Sequence, residues 1–212
     1  MVKGTHLAHK RKASRGSAPW NKGKHVGRKL PLNLQQIRSI RSRLNAAGHV
    51  RELALFSLAI DSSLSASDLV QLRVGDIARG RRILAKASIT TSASGRPISF
   101  AISSEARHAL AAWIQHRRLN AGDYLFPTRL HASPYLSVRQ YGRLVETWVN
   151  SIGLDPRRYG TQSLRRTRPV LVYRKTKDLA AAQTLLGHSR LRSTARFFDI
   201  PWEGMAKHAK AR

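Results

Sequence analysis

Gly160-Thr-Gln-Ser-Leu-Arg-Arg-Thr167, then Leu185-Leu-Gly-His-Ser189, then Ser193-Thr-Ala-Arg-Phe-Phe198 is the stretch on which the reading of this chain turns. It divides into three short helices. The first starts near Ser163, and the spacing of three puts Gln162 and Arg165 on one helical face. The second runs from about Asp178 to Leu186 and is closed by Gly187, a residue suited to the left-handed turn that ends a helix and swings His188 to one side. The third runs from about Leu191 through Phe198. Pro169 complicates the first helix, because its ring presses on the carbonyl of Arg165 four residues back, at a cost of around 3 kcal/mol or a kink.

Upstream the pattern is also mostly helical. Asn33 with Gln36 three residues on is a capping pair, Leu34, Ile37 and Leu44 recur near helical spacing, and Gly48 supplies a stop. A second helix is expected from about Val50 to Ser62, with Leu53, Phe56, Ala59 and Ile60 inward. A third starts near Ser65 and carries Leu69 and Leu72. Ile83 to Ile89 and Pro97 to Ala101 read as strands around a Ser92-Ala-Ser-Gly95 turn, the one clear hairpin signal. Glu105 to Arg117 is helical with Leu110, Trp113 and Ile114 on one face, Tyr124-Leu-Phe126 is a short extended piece, and a further helix starts at Ser137. Its stripe of Val138, Tyr141, Leu144, Val145 and Trp148 reads as core packing. The expected fold class is mainly α with a small antiparallel β-sheet.

Composition bounds the partner. Lys and Arg number 39 against 11 Asp and Glu, a formal charge of +28 over 212 residues, far beyond what solubility asks of a domain this size. Such an excess calls for a polyanion. Nucleic acid fits better than a membrane surface, because the basic residues are spread over the chain and no segment is a lone basic amphipathic helix. No apolar run approaches the roughly 18 to 20 residues that span a bilayer, and the basic start lacks the apolar stretch of a secretory signal. A soluble, cytoplasmic, DNA-associated protein is expected, with no membrane partner. The absence of cysteine removes disulfides, thiolate zinc sites and cysteine nucleophiles; no metal or cofactor is expected.

Residues 1–32 form a basic arm with no acid, either a strand that lies along DNA phosphates or a solubilising tail. Within it Pro19-Trp20-Asn-Lys-Gly-Lys is a candidate anchor. Residues 33–200 form the domain, and 201–212 a tail in which Met205-Ala-Lys-His is too short to interpret.

The order of motifs resembles the catalytic domain of the tyrosine recombinases, the phage integrase family. In that family a His-x-x-Arg pair, a Leu-Gly-His and a nucleophilic Tyr follow one another at about this spacing, on a mainly helical domain with one small sheet. The upstream run Phe56-Ser-Leu-Ala-Ile-Asp-Ser-Ser-Leu-Ser-Ala-Ser-Asp-Leu-Val-Gln-Leu-Arg-Val-Gly-Asp-Ile77 is similar to the family's segment carrying the first catalytic Arg. The resemblance implies binding of double-stranded DNA, strand cleavage through a phosphotyrosine, and assembly as a tetramer on DNA.

Position by position, the resemblance also implies losses. Arg165 and His188 match the second Arg and the Leu-Gly-His. Ser65 stands where the first Arg is expected, Ala93 at the general-acid Lys, Gln162 at the first His, and Phe197, nine positions after His188, at the Tyr. Two guanidiniums clamp the phosphate oxygens in such chemistry, and losing one well-aimed donor costs about a hundred- to a thousandfold in rate. Ser65 also reads as a helix N-cap in its Ser-Ala-Ser-Asp context. A phenyl ring has no oxygen with which to attack phosphorus. Lys86, Arg96, Arg166, Arg168 and Arg196 are the further candidate DNA contacts, and Tyr159 and Tyr173 the remaining phenols near these motifs.

The expected function is a DNA-binding, recombinase-like protein impaired in cleavage. Two alternatives stay open on sequence alone: an active strand-exchange recombinase whose nucleophile comes from a partner, and a basic RNA-binding protein.

Overall fold

A computed structural model describes residues 28–92, 95–128 and 134–198. The sequence readings on the arm up to residue 27, on the Pro19–Lys24 anchor, on Ala93 and on the 201–212 tail lie outside the described residues.

The chain opens with α1 (Leu34–Ala46), capped as expected: Asn33 Oδ1 accepts from Gln36 N at 2.8 Å while Gln36 Oε1 accepts from Asn33 N at 2.9 Å. Its inward stripe is Ile37, Ile40 and Leu44. Gly48, at φ +65°, takes the left-handed turn out of the helix without the Cβ penalty of other residues. Then α2 (Val50–Ser62) runs through the centre of the domain, with every residue from Ala54 to Ser62 buried. A helix apolar nearly all round must be covered on all sides, and α1, α5 (Ser104–Arg117) and α7 (Thr161–Thr176) pack on it. The short α3 (Ala66–Val70) and α4 (Val74–Ile77) follow, so Leu72 lies beyond the third helix rather than within it.

The sheet region differs from expectation at one end. Two antiparallel pairs form: β1 (Ala78–Arg79) with β2 (Arg82–Ile83), and β3 (Lys86–Thr90) with β4 (Pro97–Ala101). The expected Ile83–Ile89 strand is thus split, and Ile83 pairs backward with Ala78 across a turn at Gly80, whose φ is +57°. Three arginines around one glycine hid that turn, since none of them carries the β-branched or aromatic signature of a strand. In the longer hairpin Ala87, Ile98 and Phe100 face the core, while Lys86, Ser88, Ser99 and Ala101 face outward.

After α5, Tyr124 bridges back to Arg73. Then comes α6 (Val138–Ser151), capped by Ser137. Tyr141, Val145 and Trp148 are buried as the stripe predicted, but Val138 is 43% exposed, because it sits in the first turn before the helix meets its neighbours. The buried indoles are satisfied: Trp148 Nε1 donates to Glu52 Oε2 at 2.7 Å and Trp113 Nε1 to the Leu125 carbonyl at 2.8 Å, as buried polar atoms require.

A 3₁₀ turn (Pro156–Arg158) leads into α7, which begins at Thr161, earlier than expected, and continues through Pro169. The domain closes with α8 (Leu179–Leu186) and α9 (Leu191–Phe197). The packed unit also reaches further toward the N-terminus than Asn33: Leu32 is buried, its N–H donates to Thr167 Oγ1 at 3.0 Å, and Leu30 N donates to the Arg158 carbonyl at 3.0 Å. No helix among the described residues is long and apolar enough to cross a membrane.

Candidate functional site

The site gathers where the start of α3, the tip of the β3–β4 hairpin, α7 and the α8–α9 turn meet. Ser65 is the N-cap of α3: its Oγ accepts from Asp68 N at 3.1 Å and donates to Asp68 Oδ2 at 2.6 Å. The other carboxylate oxygen, Oδ1, accepts from Ser92 N at 2.9 Å and Ser92 Oγ at 2.7 Å. Helix α3 and the hairpin tip are thereby tied through one carboxylate. Burial alone would raise the Asp68 carboxyl, but the bonds from Ser65 and Ser92 and the charge of Arg165 outweigh it and hold the group below its ordinary value.

Arg165 projects from α7 into the same region. Burial lowers its pKa and the Asp68 charge partly offsets this, yet a guanidinium remains charged at any ordinary pH. Nη2 donates to the Leu186 carbonyl at the long distance of 3.5 Å, and Nε is buried with no partner among the described residues. A guanidinium carries five N–H donors, so most of this one's donor capacity is unused by the protein.

His188 follows Gly187, whose φ of +65° closes α8. Its backbone is clamped on both sides by Gln183: His188 N donates to the Gln183 carbonyl at 3.2 Å, and Gln183 Nε2 donates to the His188 carbonyl at 2.9 Å. Ring Nδ1 lies 3.1 Å from Thr194 Oγ1. Burial first, and then the Arg165 charge, depress its pKa below 6.5. Phe197 meets the imidazole edge-on, 5.5 Å between centroids, and the Arg166 guanidinium carbon stands 4.9 Å from the centre of the Phe197 ring.

Ser65, Arg165, His188 and Phe197 thus form one continuous neighbourhood, linked through Asp68. Gln162 is exposed on α7 one turn before Arg165. The neighbour of Ala93, Ser92, belongs to the Asp68 network. Of the remaining phenols, Tyr159 is a core residue and Tyr173 stacks on Phe198 at 5.4 Å.

The five basic residues read from sequence as candidate DNA contacts are placed very differently. Lys86, Arg96 and Arg196 are exposed. Arg166 is 9% exposed and lies against Phe197. Arg168 turns into the protein, where Nη1 donates to the Asp61 carbonyl at 2.8 Å and the Ala101 carbonyl at 2.9 Å and stands 3.7 Å from Asp61 Oδ1. It joins α2, α7 and β4. Sequence reasoning gave no part to Ser92, Gln183 or Thr194; the one usable signal was the Ser-x-x-Asp capping pattern at Ser65–Asp68.

The phage integrase family model matches residues 31–200. Among curated proteins, the chain is 27% identical over 150 residues to a probable integrase/recombinase, YoeC, of Bacillus subtilis, covering 71% of this chain and 78% of that protein. It is 32% identical over 151 residues to tyrosine recombinase XerC of Erythrobacter litoralis, covering 71% of this chain and 47% of that one. Among solved structures, XerH recombinase bound to its difH substrate superposes with a TM-score of 0.66 at 19% identity, over 87% of this chain and 55% of XerH. XerA recombinase gives 0.68 at 16% identity, over 88% and 67%. The chain therefore spans about half to four-fifths of the length of these proteins. With a family match across most of its length and the fold of the recombinase catalytic domain, this chain belongs to the phage integrase family of tyrosine recombinases.

Proposed function

We propose that the chain binds duplex DNA with a backbone phosphate against Arg165 and His188, and that it does not cleave the strand. The observation that carries the reading is the state of Arg165: a partly buried cation with an orphan Nε and one long hydrogen bond to the protein. A buried donor without a partner costs about 1–3 kcal/mol, and an oxyanion is the ligand a guanidinium fork fits best. Support for DNA as the source of that oxyanion comes from the +28 charge and from solved neighbours that are recombinases held on DNA.

The loss of cleavage rests on Phe197 and Ser65. At the place the resemblance gives to the nucleophile, a phenyl ring packs between His188 and Arg166. At the place the resemblance gives to the first Arg, the Ser65 hydroxyl is committed to Asp68, so Ser65 offers no second cation to grip the phosphate. Lys86, Arg96 and Arg196 supply exposed positive charge, while Arg166 and Arg168 act by holding Phe197 and Asp61. Several copies on one duplex, as the resemblance implies, would show as stepwise larger complexes on a longer duplex.

The test is a nicked suicide duplex offered to the protein. The expected result is a retarded complex whose affinity falls steeply with salt, since each phosphate contact releases counterions, and no covalent adduct on a denaturing gel. A covalent adduct would establish strand cleavage by another nucleophile, including one from a partner copy. Salt-insensitive or absent duplex binding would end the DNA reading, and stronger retention of structured RNA of equal length would favour an RNA-binding role.

A further inference from the structure

The hydroxyl of Thr194 is fully buried, at 0% exposure, and its one hydrogen-bond partner among the described residues is His188 Nδ1 at 3.1 Å. Two arrangements satisfy that distance. In the first, Nδ1 carries the proton and donates to Oγ1, which leaves the threonine O–H with no acceptor in a site closed to water. In the second, the threonine O–H donates to an unprotonated Nδ1, and both groups are satisfied. Leaving a buried donor unmade is the more expensive choice, so the second arrangement prevails.

The ring proton then belongs on Nε2, because the bond made by one imidazole nitrogen sets the state of the other. Everything else about the residue is already fixed: Gln183 clamps the backbone on both sides, Gly187 sets the turn, and Phe197 bounds the ring at 5.5 Å. The surroundings also disfavour the doubly protonated ring, which would turn Nδ1 into a donor and orphan the threonine proton.

We propose that Thr194 is a positioning residue that locks His188 in its Nε2–H form, so that the ring offers a neutral hydrogen-bond donor to the phosphate oxygen held at Arg165. The phosphate half of this statement rests on the DNA-binding reading above; the tautomer half does not. Its consequence is that the histidine's donor is available at neutral pH without a charge on the ring. Thr194 acts only through His188 and touches no ligand itself.

The experiment is ¹H–¹⁵N long-range correlation NMR of the uniformly ¹⁵N-labelled full chain, with the His188 ring assigned by its disappearance in His188→Gln. The wild-type spectrum at pH near 7.5 should show Nε2 protonated and Nδ1 unprotonated. Thr194→Val, which keeps the shape and removes the hydroxyl, should shift the ring toward a mixture of tautomers, and Thr194→Ser should restore the wild-type pattern. Duplex binding should weaken about three- to tenfold in Thr194→Val, the worth of one ordinary hydrogen bond, and recover in Thr194→Ser. A protonated Nδ1 in the wild-type protein overturns the proposal whether or not the valine variant folds, and so does a valine spectrum identical to wild type. If the tautomer moves as expected while duplex affinity stays constant, the lock stands and the phosphate contact is refuted.

Discussion

Gly187→Ala should destabilise the domain far more than the same change at Gly48, and the difference isolates one contact between the Leu-Gly-His turn and the hairpin. Both glycines sit at a helix C-terminus with φ +65°, so the left-handed backbone term, about 1–2 kcal/mol for a residue with a Cβ, is common to both. Their surroundings are not. A Cβ at Gly48 meets nothing within 4 Å, whereas a Cβ at Gly187 falls 2.3 Å from Ile98 Cδ1 and 2.7 Å from Ile98 Cγ1. Ile98 has little room to retreat: it is 8% exposed and paired with Ile89 in the β3–β4 ladder. Overpacking of this kind costs about 1–3 kcal/mol, which puts Gly187→Ala at about 2–5 kcal/mol and Gly48→Ala at about 1–2. Urea unfolding of the two variants, with unchanged m-values, measures the difference directly. Ile98→Ala removes both clashing atoms, so combined with Gly187→Ala it should cost about 1–3 kcal/mol less than the sum of the single changes. Equal losses at Gly48 and Gly187, or strict additivity with Ile98→Ala, would refute the claim that β4 sets the position of the turn carrying His188.

Ser63 holds φ +54° in a buried position with its Oγ unpartnered among the described residues; Ser63→Gly removes both penalties and should raise stability by about 1 kcal/mol, read as a higher unfolding midpoint. Arg168→Ala should lower stability by about 1–3 kcal/mol through the Asp61 and Ala101 bonds it abandons, while leaving the salt slope of duplex binding unchanged; Arg165→Ala should do the reverse, reducing that slope by about one. The His188 pKa is depressed below 6.5, by burial and then by Arg165, so the unfolded chain takes up the proton more readily. That contribution to stability is present above pH about 6.5 and is lost as pH falls through the folded value. His188→Gln should therefore flatten the fall in unfolding free energy between pH about 7.5 and 5, and an unchanged profile would show that His188 is not held neutral.

Much of the architecture was readable because caps and stops act over three or four residues. Asn33 with Gln36, Ser65 with Asp68, Asp178 before α8 and Gly187 after it each satisfy helix-end groups locally; α1 and α8 fall where the pattern put them, and α3 starts there but ends before Leu72. The readings that failed are those where distant chain decided the outcome. Ile83 pairs backward with Ala78 instead of extending the hairpin strand, and Val138 lies outside the buried stripe because α6 meets its neighbours only after the first turn.

Sequence alone was enough for the capped ends of α1 and α8, the β3–β4 hairpin, the positive charge, and the succession of Ser65, Arg165, His188 and Phe197 along the chain, because these depend on residue type and short spacing; the β1–β2 pair and the start of α7 were not legible in it. The tertiary structure alone decided which cations face inward: Arg165, Arg166 and Arg168 stand within four residues of one another, yet one keeps unused donors, one covers Phe197 and one is bound to Asp61, 107 positions away. It also decided that the Asp68 carboxylate reaches Ser92 across 24 positions and that the Thr194 hydroxyl is sealed against His188. The physical reason is that a guanidinium, a carboxylate or a hydroxyl has the same chemistry wherever it occurs in a sequence, and only the packed surroundings fix which partners it finds and how much water it loses.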